Sequence, residues 1–189
     1  GYHEIKEHGK REFPFNIYPC SIPVDFSHVA LHWHEEMEII AVKKGKGRIT
    51  VDTVSYPVEE GDILAVFPGQ LHAISCGNGE RMEYENIIFR LSMLMGDNGD
   101  GCTVHFLKPL QEGQAKNPVL IQRNQPDHEV FGKVIQELDR FSEIRGNGYQ
   151  LAVKGQLFLF LYYAYGRGIL FTEKKPGHAR EKIKGILEY

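Results

Sequence analysis

The chain has 189 residues, 42% hydrophobic and 25% charged, with a formal net charge of −3. This length buries one sizeable core with room for an appended unit, and the charge balance excludes a strongly basic nucleic-acid surface on the chain itself. Cys20, Cys76 and Cys102 are odd in number and widely spaced, without a C-x-x-C pair, which suggests neither a disulfide framework nor a cysteine zinc site and fits a reducing, cytoplasmic setting.

The first 125 residues read as a β-domain. Segments rich in Val, Ile, Phe, Tyr and Thr recur at 13–18, 37–42, 48–51, 63–67, 83–91, 103–106 and 119–121, separated by Gly, Pro, Asn and Asp. Gly45 and Gly47 predict a turn between two strands, Asp52-Thr53 a tighter one and Glu60-Gly61-Asp62 another, so the expected architecture is a sandwich or barrel. In the stretch 96–101 glycine stands where a calcium loop needs a third oxygen ligand, and the segment reads as a mobile surface loop. After Pro126 the period becomes helical. Val130, Phe131, Val134, Ile135, Leu138 and Phe141 mark an amphipathic helix over 127–143, with Asp127 expected to cap it. Beyond Gly146-Asn147-Gly148, a second helix over 149–165 is apolar nearly all round in its second half. Either it is an ordinary buried helix or part of its surface meets a partner subunit. The apolar run 157–165 is too short to span a bilayer, so no membrane partner is expected. Ile183, Ile186 and Leu187 begin a third helical pattern. With Gly1 in place of Met and an end inside that pattern, the sequence reads as a piece of a longer protein.

The chemistry concentrates at His32, His34, Glu38 and His72. Residues an even number apart share one face of a regular strand, so His32, His34 and Glu38 can point into a barrel together, with the orientation of Glu36 left open. The corner Phe67-Pro68-Gly69 then returns the chain to bring His72 toward them. Three imidazoles and a carboxylate suit a divalent transition metal such as zinc, nickel, manganese or iron, either as a closed tetrahedral zinc set or with open positions on a six-coordinate ion. The same side chains could instead contact an organic effector, or bond one another inside the barrel. Among the aromatics Phe15, Tyr18, Trp33, Phe67 and Tyr84, core packing is the expected role for most, with Tyr18 the first choice for lining a pocket and Trp33 next to the histidines.

At these positions the chain resembles the cupin superfamily. Its first motif, H-x-H, three or four residues, E, six residues, G, is met by His32, His34, Glu38 and Gly45. Its second, G-x5-P-x-G-x2-H-x3-N, is met by Gly61, Gly69 and His72, while Phe67 replaces the proline and Cys76 the asparagine. A narrower resemblance spans most of the chain. Phe13-Pro14-Phe15 with Tyr18, the run His32-Trp33-His34-Glu35-Glu36-Met37-Glu38, Tyr56, Gly61-Asp62, Pro68-Gly69, His72, Ile87-Ile88-Phe89, Lys108-Pro109-Leu110 and the two helices are similar to the N-terminal sensor domain of AraC-type transcription regulators.

That resemblance implies a cupin double-stranded β-helix, or jelly-roll barrel, over 1–125 and an antiparallel helix pair over 126–168 that dimerises through 127–143 and 149–165. A linker and the start of a DNA-binding region would occupy 169–189, opening near Ala179. It implies a small-molecule effector, a sugar or related metabolite, contacted by His32, His34, Glu38, His72, Tyr18 and Trp33, with DNA bound only through helix-turn-helix units outside this sequence. The rival expectation is a metal-dependent cupin enzyme, a dioxygenase or isomerase, using the three-His, one-Glu set.

Overall fold

Eight strands lie within the first 121 residues: β1 (Phe15–Ile22), β2 (Val29–His32), β3 (Met37–Val51), β4 (Val54–Glu59), β5 (Ile63–Val66), β6 (His72–Ser75), β7 (Met82–Phe89) and β8 (Val119–Ile121). The computed structural model describes residues 2–4 and 8–172. All strand pairs are antiparallel, in the orders β1-β7-β3-β5-β8 and β2-β6-β3-β4. Between the two sheets lies an apolar interior built from residues such as Ile40, Val42, Leu64, Val66, Met82 and Tyr84. This is a double-stranded β-helix.

Strand β3 belongs to both sheets. Its first part pairs with β7 and β5, and residues 46–51 pair with β4 and β6. The expected turn at Gly45 and Gly47 is therefore corrected: the chain continues as one strand, and the glycines serve the passage from one sheet to the other. The register slips between Val42 and Lys44, and Gly45 has φ +75° with space for a Cβ only 2.0 Å from the Arg81 carbonyl oxygen. A bulge with a left-handed glycine bends the strand where a side chain would collide. The Asp52-Thr53 turn is present, closed by the Val51–Val54 pair.

The outer face of the first sheet is also buried. Ile39, Ala65, Ile87 and Phe89 pack in one cluster with Phe131, Leu138, Leu157 and Phe160, which belong to two helices introduced below. A short 3-10 turn (Leu91–Leu94) follows β7. Residues 103–106, expected as a strand, instead lie in a π-helical segment (Thr103–Leu107) that runs into α1 (Lys108–Gln111). Asp100 Oδ2 accepts hydrogen bonds from Thr103 N at 2.9 Å and Thr103 Oγ at 2.6 Å, a local cap that overrides the strand propensity of Thr-Val.

The two long helices are α2 (His128–Ile144) and α3 (Tyr149–Gly166), close to the expected 127–143 and 149–165. Asp127 stands at the N-cap of α2 without making a side-chain cap bond. Its carboxylate is held by Arg167 Nη1 at 2.6 and 2.8 Å, tying the start of α2 to the end of α3. Helix α3 buries Val153, Leu157, Phe160, Leu161 and Ala164, whereas Leu151, Phe158, Leu159 and Tyr162 are exposed. The third helical pattern at Ile183, Ile186 and Leu187, and the region from Ala179 onward, lie outside the described residues. No described helix is long and apolar enough to cross a membrane.

Candidate functional site

His32 ends β2, Glu38 is the second residue of β3, and His72 begins β6, directly opposite His32 in the β2–β6 pair. His34 lies in the irregular link between β2 and β3, so His32, His34 and Glu38 do not share one regular strand. A bend at Glu35 and Glu36 nonetheless brings them together. One nitrogen or oxygen from each of His32, His34, Glu38 and His72 lies within 4.8 Å of the others. The His32 and His72 ring centroids are 4.2 Å apart and those of His34 and His72 5.0 Å. His34, Glu38 and His72 are buried, and His32 is partly exposed.

Backbone carbonyls orient the rings. His32 Nδ1 lies 2.9 Å from Ala30 O, His34 Nδ1 3.1 Å from Glu36 O and His72 Nδ1 3.0 Å from Gln70 O. A carbonyl only accepts, so a bond to it places a proton on each Nδ1, and a ring that carries no second proton then turns an Nε2 lone pair inward. His34 Nε2 and His72 Nε2 approach Glu38 Oε2 at 2.9 and 3.1 Å. Lone pairs facing a carboxylate require positive charge between them, supplied by added protons or by a cation. Imidazoles with Nδ1 fixed on carbonyls and Nε2 converging beside a carboxylate are the arrangement that metal-ligating histidines adopt. The group could therefore hold a metal ion.

The electrostatics show the same tension. Burial alone pushes Glu38 up, but the hydrogen bonds from His34 and His72 and the charge on those rings hold its carboxyl well below the usual range. For His34, burial pulls down, and the Glu38 bond together with the Glu38, Glu36 and Glu4 charges overcomes it, leaving the ring raised. His32 is lowered by burial and then by the His72 charge.

Tyr18 and Trp33 stand outside the four-residue group. Tyr18 reaches His8 Nδ1 with its hydroxyl at 3.1 Å, and Trp33 stacks on His3 at 4.1 Å. Phe15, Phe67 and Tyr84 are buried, as core packing requires. Glu36 is buried too, its Oε1 accepting from Arg90 Nε at 2.8 Å. Sequence reasoning missed that Arg90 partner, fifty-four positions away, as well as Glu4, whose Oε2 lies 3.4 Å from His32 Nε2. It also missed Asn86, whose Oδ1 is buried without a hydrogen-bond partner and which shares β7 parity with the interior residues Met82 and Tyr84. A two-residue period on β7 was the available signal for Asn86.

A jelly-roll barrel carrying this His and Glu constellation at one end is a cupin. The family described as the AraC-like ligand binding domain matches residues 23–161; the chain belongs to this family and is a ligand-sensing domain of the AraC regulator type. It is 29% identical over 82 residues to the uncharacterized HTH-type transcriptional regulator YdeC of Bacillus subtilis (strain 168), a match covering 43% of this chain and 28% of that protein. The chain thus spans well under half the length of that curated relative. Among solved structures, ToxT from Vibrio cholerae shares 14% identity over 93% of this chain and 64% of its own, with a TM-score of 0.49. A Cupin 2 conserved barrel protein from Salinispora arenicola shares 23% identity over 42% of this chain and 66% of its own, with a TM-score of 0.38.

Proposed function

We propose that this domain senses a small polar effector at the His32, His34, Glu38 and His72 end of the barrel, with a divalent transition metal held by those four side chains. The observation that carries the reading is the set of three Nδ1-to-carbonyl contacts in one cluster, with the Nε2 atoms of His34 and His72 both on Glu38 Oε2. The other part of the interior is filled by side chains such as Ile40, Leu64, Val66 and Tyr84, so polar recognition belongs to the histidine end. Asn86 Oδ1, a buried acceptor without a partner, supports a ligand that donates hydrogen bonds. The bound metal would supply a Lewis-acidic contact for an anionic or hydroxyl group.

The longer protein carrying this domain is a cytoplasmic transcription regulator rather than an enzyme, and it contacts DNA through a helix-turn-helix region. The family match and the relative's description support this reading. It acts as a homodimer through α2 and α3, with the exposed Leu151, Phe158, Leu159 and Tyr162 of α3 presenting an apolar surface. Effector binding shifts the regulator between two arrangements only insofar as the ligand prefers one of them.

The coding sequence downstream of Tyr189, followed by electrophoretic mobility shift with the full-length protein, tests the regulator reading. A basic continuation of about one hundred residues with two helix-turn-helix units, and DNA binding lost on its removal, is the expected result. A gene that encodes no such region, with turnover of a small substrate by the barrel, favours the cupin-enzyme reading instead.

A further inference from the structure

The four-residue cluster has one open side. The His34, Glu38 and His72 side chains are 2%, 2% and 1% exposed, whereas that of His32 is 18% exposed. Access therefore passes His32, and the N-terminal segment lies beside it. Trp33 N donates to Tyr2 O at 2.8 Å, Glu4 N donates to Trp33 O at 3.0 Å, and the His3 ring stacks on Trp33 with 16° between planes. These contacts bring the Glu4 carboxylate to the exposed edge of the cluster, with Oε2 3.4 Å from His32 Nε2.

We propose that Glu4 is a fifth ligand of the site, brought by the N-terminal segment to the open face of a divalent cation held by His32, His34, Glu38 and His72. This rests on the metal reading above and adds a residue outside both motifs that defined it. His32 Nδ1 donates to Ala30 O, so the neutral ring turns a lone pair toward Glu4, the same confrontation of acceptors seen at Glu38. Two ligands on one ion at about 2.1 Å, subtending 90° to 110°, stand about 3.0 to 3.4 Å apart. The His34–Glu38 and His72–Glu38 separations of 2.9 and 3.1 Å are close to such edges, and so is the 3.4 Å from Glu4 to His32. Glu4 stands outside the four residues whose ligand atoms lie within 4.8 Å of one another, so its carboxylate would have to turn inward past His32 to reach the ion.

Charge gives an independent argument. Three neutral imidazoles and Glu38 leave a divalent ion with one uncompensated charge, and a second carboxylate brings the centre to neutrality in a mostly buried site. Four protein ligands also leave positions open on a six-coordinate ion, and the exposed side near His32 is where a fifth can enter. Glu4 follows Trp33 through backbone hydrogen bonds, so filling the cation site ties residues 2–4 to the barrel mouth.

Zinc titration of the metal-free protein, with affinity measured by chelator competition and the single tryptophan, Trp33, as optical reporter, tests the assignment against Glu4→Gln. We expect zinc to change Trp33 emission in the wild type. In Glu4→Gln the dissociation constant should rise about tenfold or more and the emission change should fall away, with the metal-free melting temperature unaltered. A dissociation constant within twofold of wild type overturns the role of Glu4 while leaving the four-residue site intact. Failure of the wild type to bind zinc overturns both.

Discussion

Glu38 Oε2 lies 2.9 Å from His34 Nε2, and both side chains are almost wholly withdrawn from solvent. Because His34 Nδ1 is committed to the Glu36 carbonyl, this contact needs either an imidazolium or a cation. A cation that binds the native cluster and not the unfolded chain stabilises the fold by about 2.7 kcal/mol at one hundred times its dissociation constant. Added zinc should therefore raise the melting temperature of the wild type, and Glu38→Gln, which keeps the shape and removes the charge, should abolish the rise. Differential scanning fluorimetry with and without chelator checks this, and an equal rise in the variant contradicts it.

Gly45 is the hinge by which β3 changes sheets. Gly45→Ala places a Cβ against the Arg81 carbonyl at a positive φ and should cost about 3 kcal/mol or more. Gly155→Ala is the contrasting control. Nothing lies within 4 Å of its built Cβ, so helix α3 should gain up to about 1 kcal/mol. Urea unfolding of the two variants separates the effects.

Tyr165 donates its hydroxyl proton to Phe106 O at 2.6 Å, and burial pushes the phenol up to about 12. The folded value exceeds the unfolded one, so this group's stabilisation is fully present below pH 10 and is lost as the pH rises through about 12. Tyr165→Phe should remove that component, so its stability should fall less steeply than the wild type's between pH 10 and 12. Denaturant melts across that window provide the comparison.

The exposed apolar stripe of α3 predicts self-association. Leu159→Glu combined with Tyr162→Glu adds charge to residues that are 43% and 71% exposed, so the folded subunit should survive while the dimer dissociates at least tenfold more readily. Sedimentation velocity measures this, and an unchanged dimer removes α3 as the interface.

The candidate site was legible because its chemistry is local. His32, His34 and Glu38 occupy seven consecutive residues, and the Pro68-Gly69 corner fixes where His72 returns. What escaped the sequence depends on distant partners. Arg90 reaches Glu36 only because β7 pairs with β3, and Glu4 reaches His32 only because the N-terminal segment lies along Trp33. At Gly45 two glycines imitate a hairpin, and only the two-sheet closure reveals a continuous strand. At Thr103 the strand propensity yields to the Asp100 cap. Strands β2 and β4 went unmarked because most of their residues are half-buried or exposed, which weakens the alternation that makes a strand readable.

Metal analysis tests the central claim most directly: wild type and His34→Ala are each loaded with zinc, dialysed against metal-free buffer and measured for zinc per chain. The account predicts stoichiometric zinc in the wild type and its loss in the folded His34→Ala variant. Stoichiometric zinc retained by that variant, or none held by the wild type, would contradict the assignment of His32, His34, Glu38 and His72 as the metal-holding centre of the sensor.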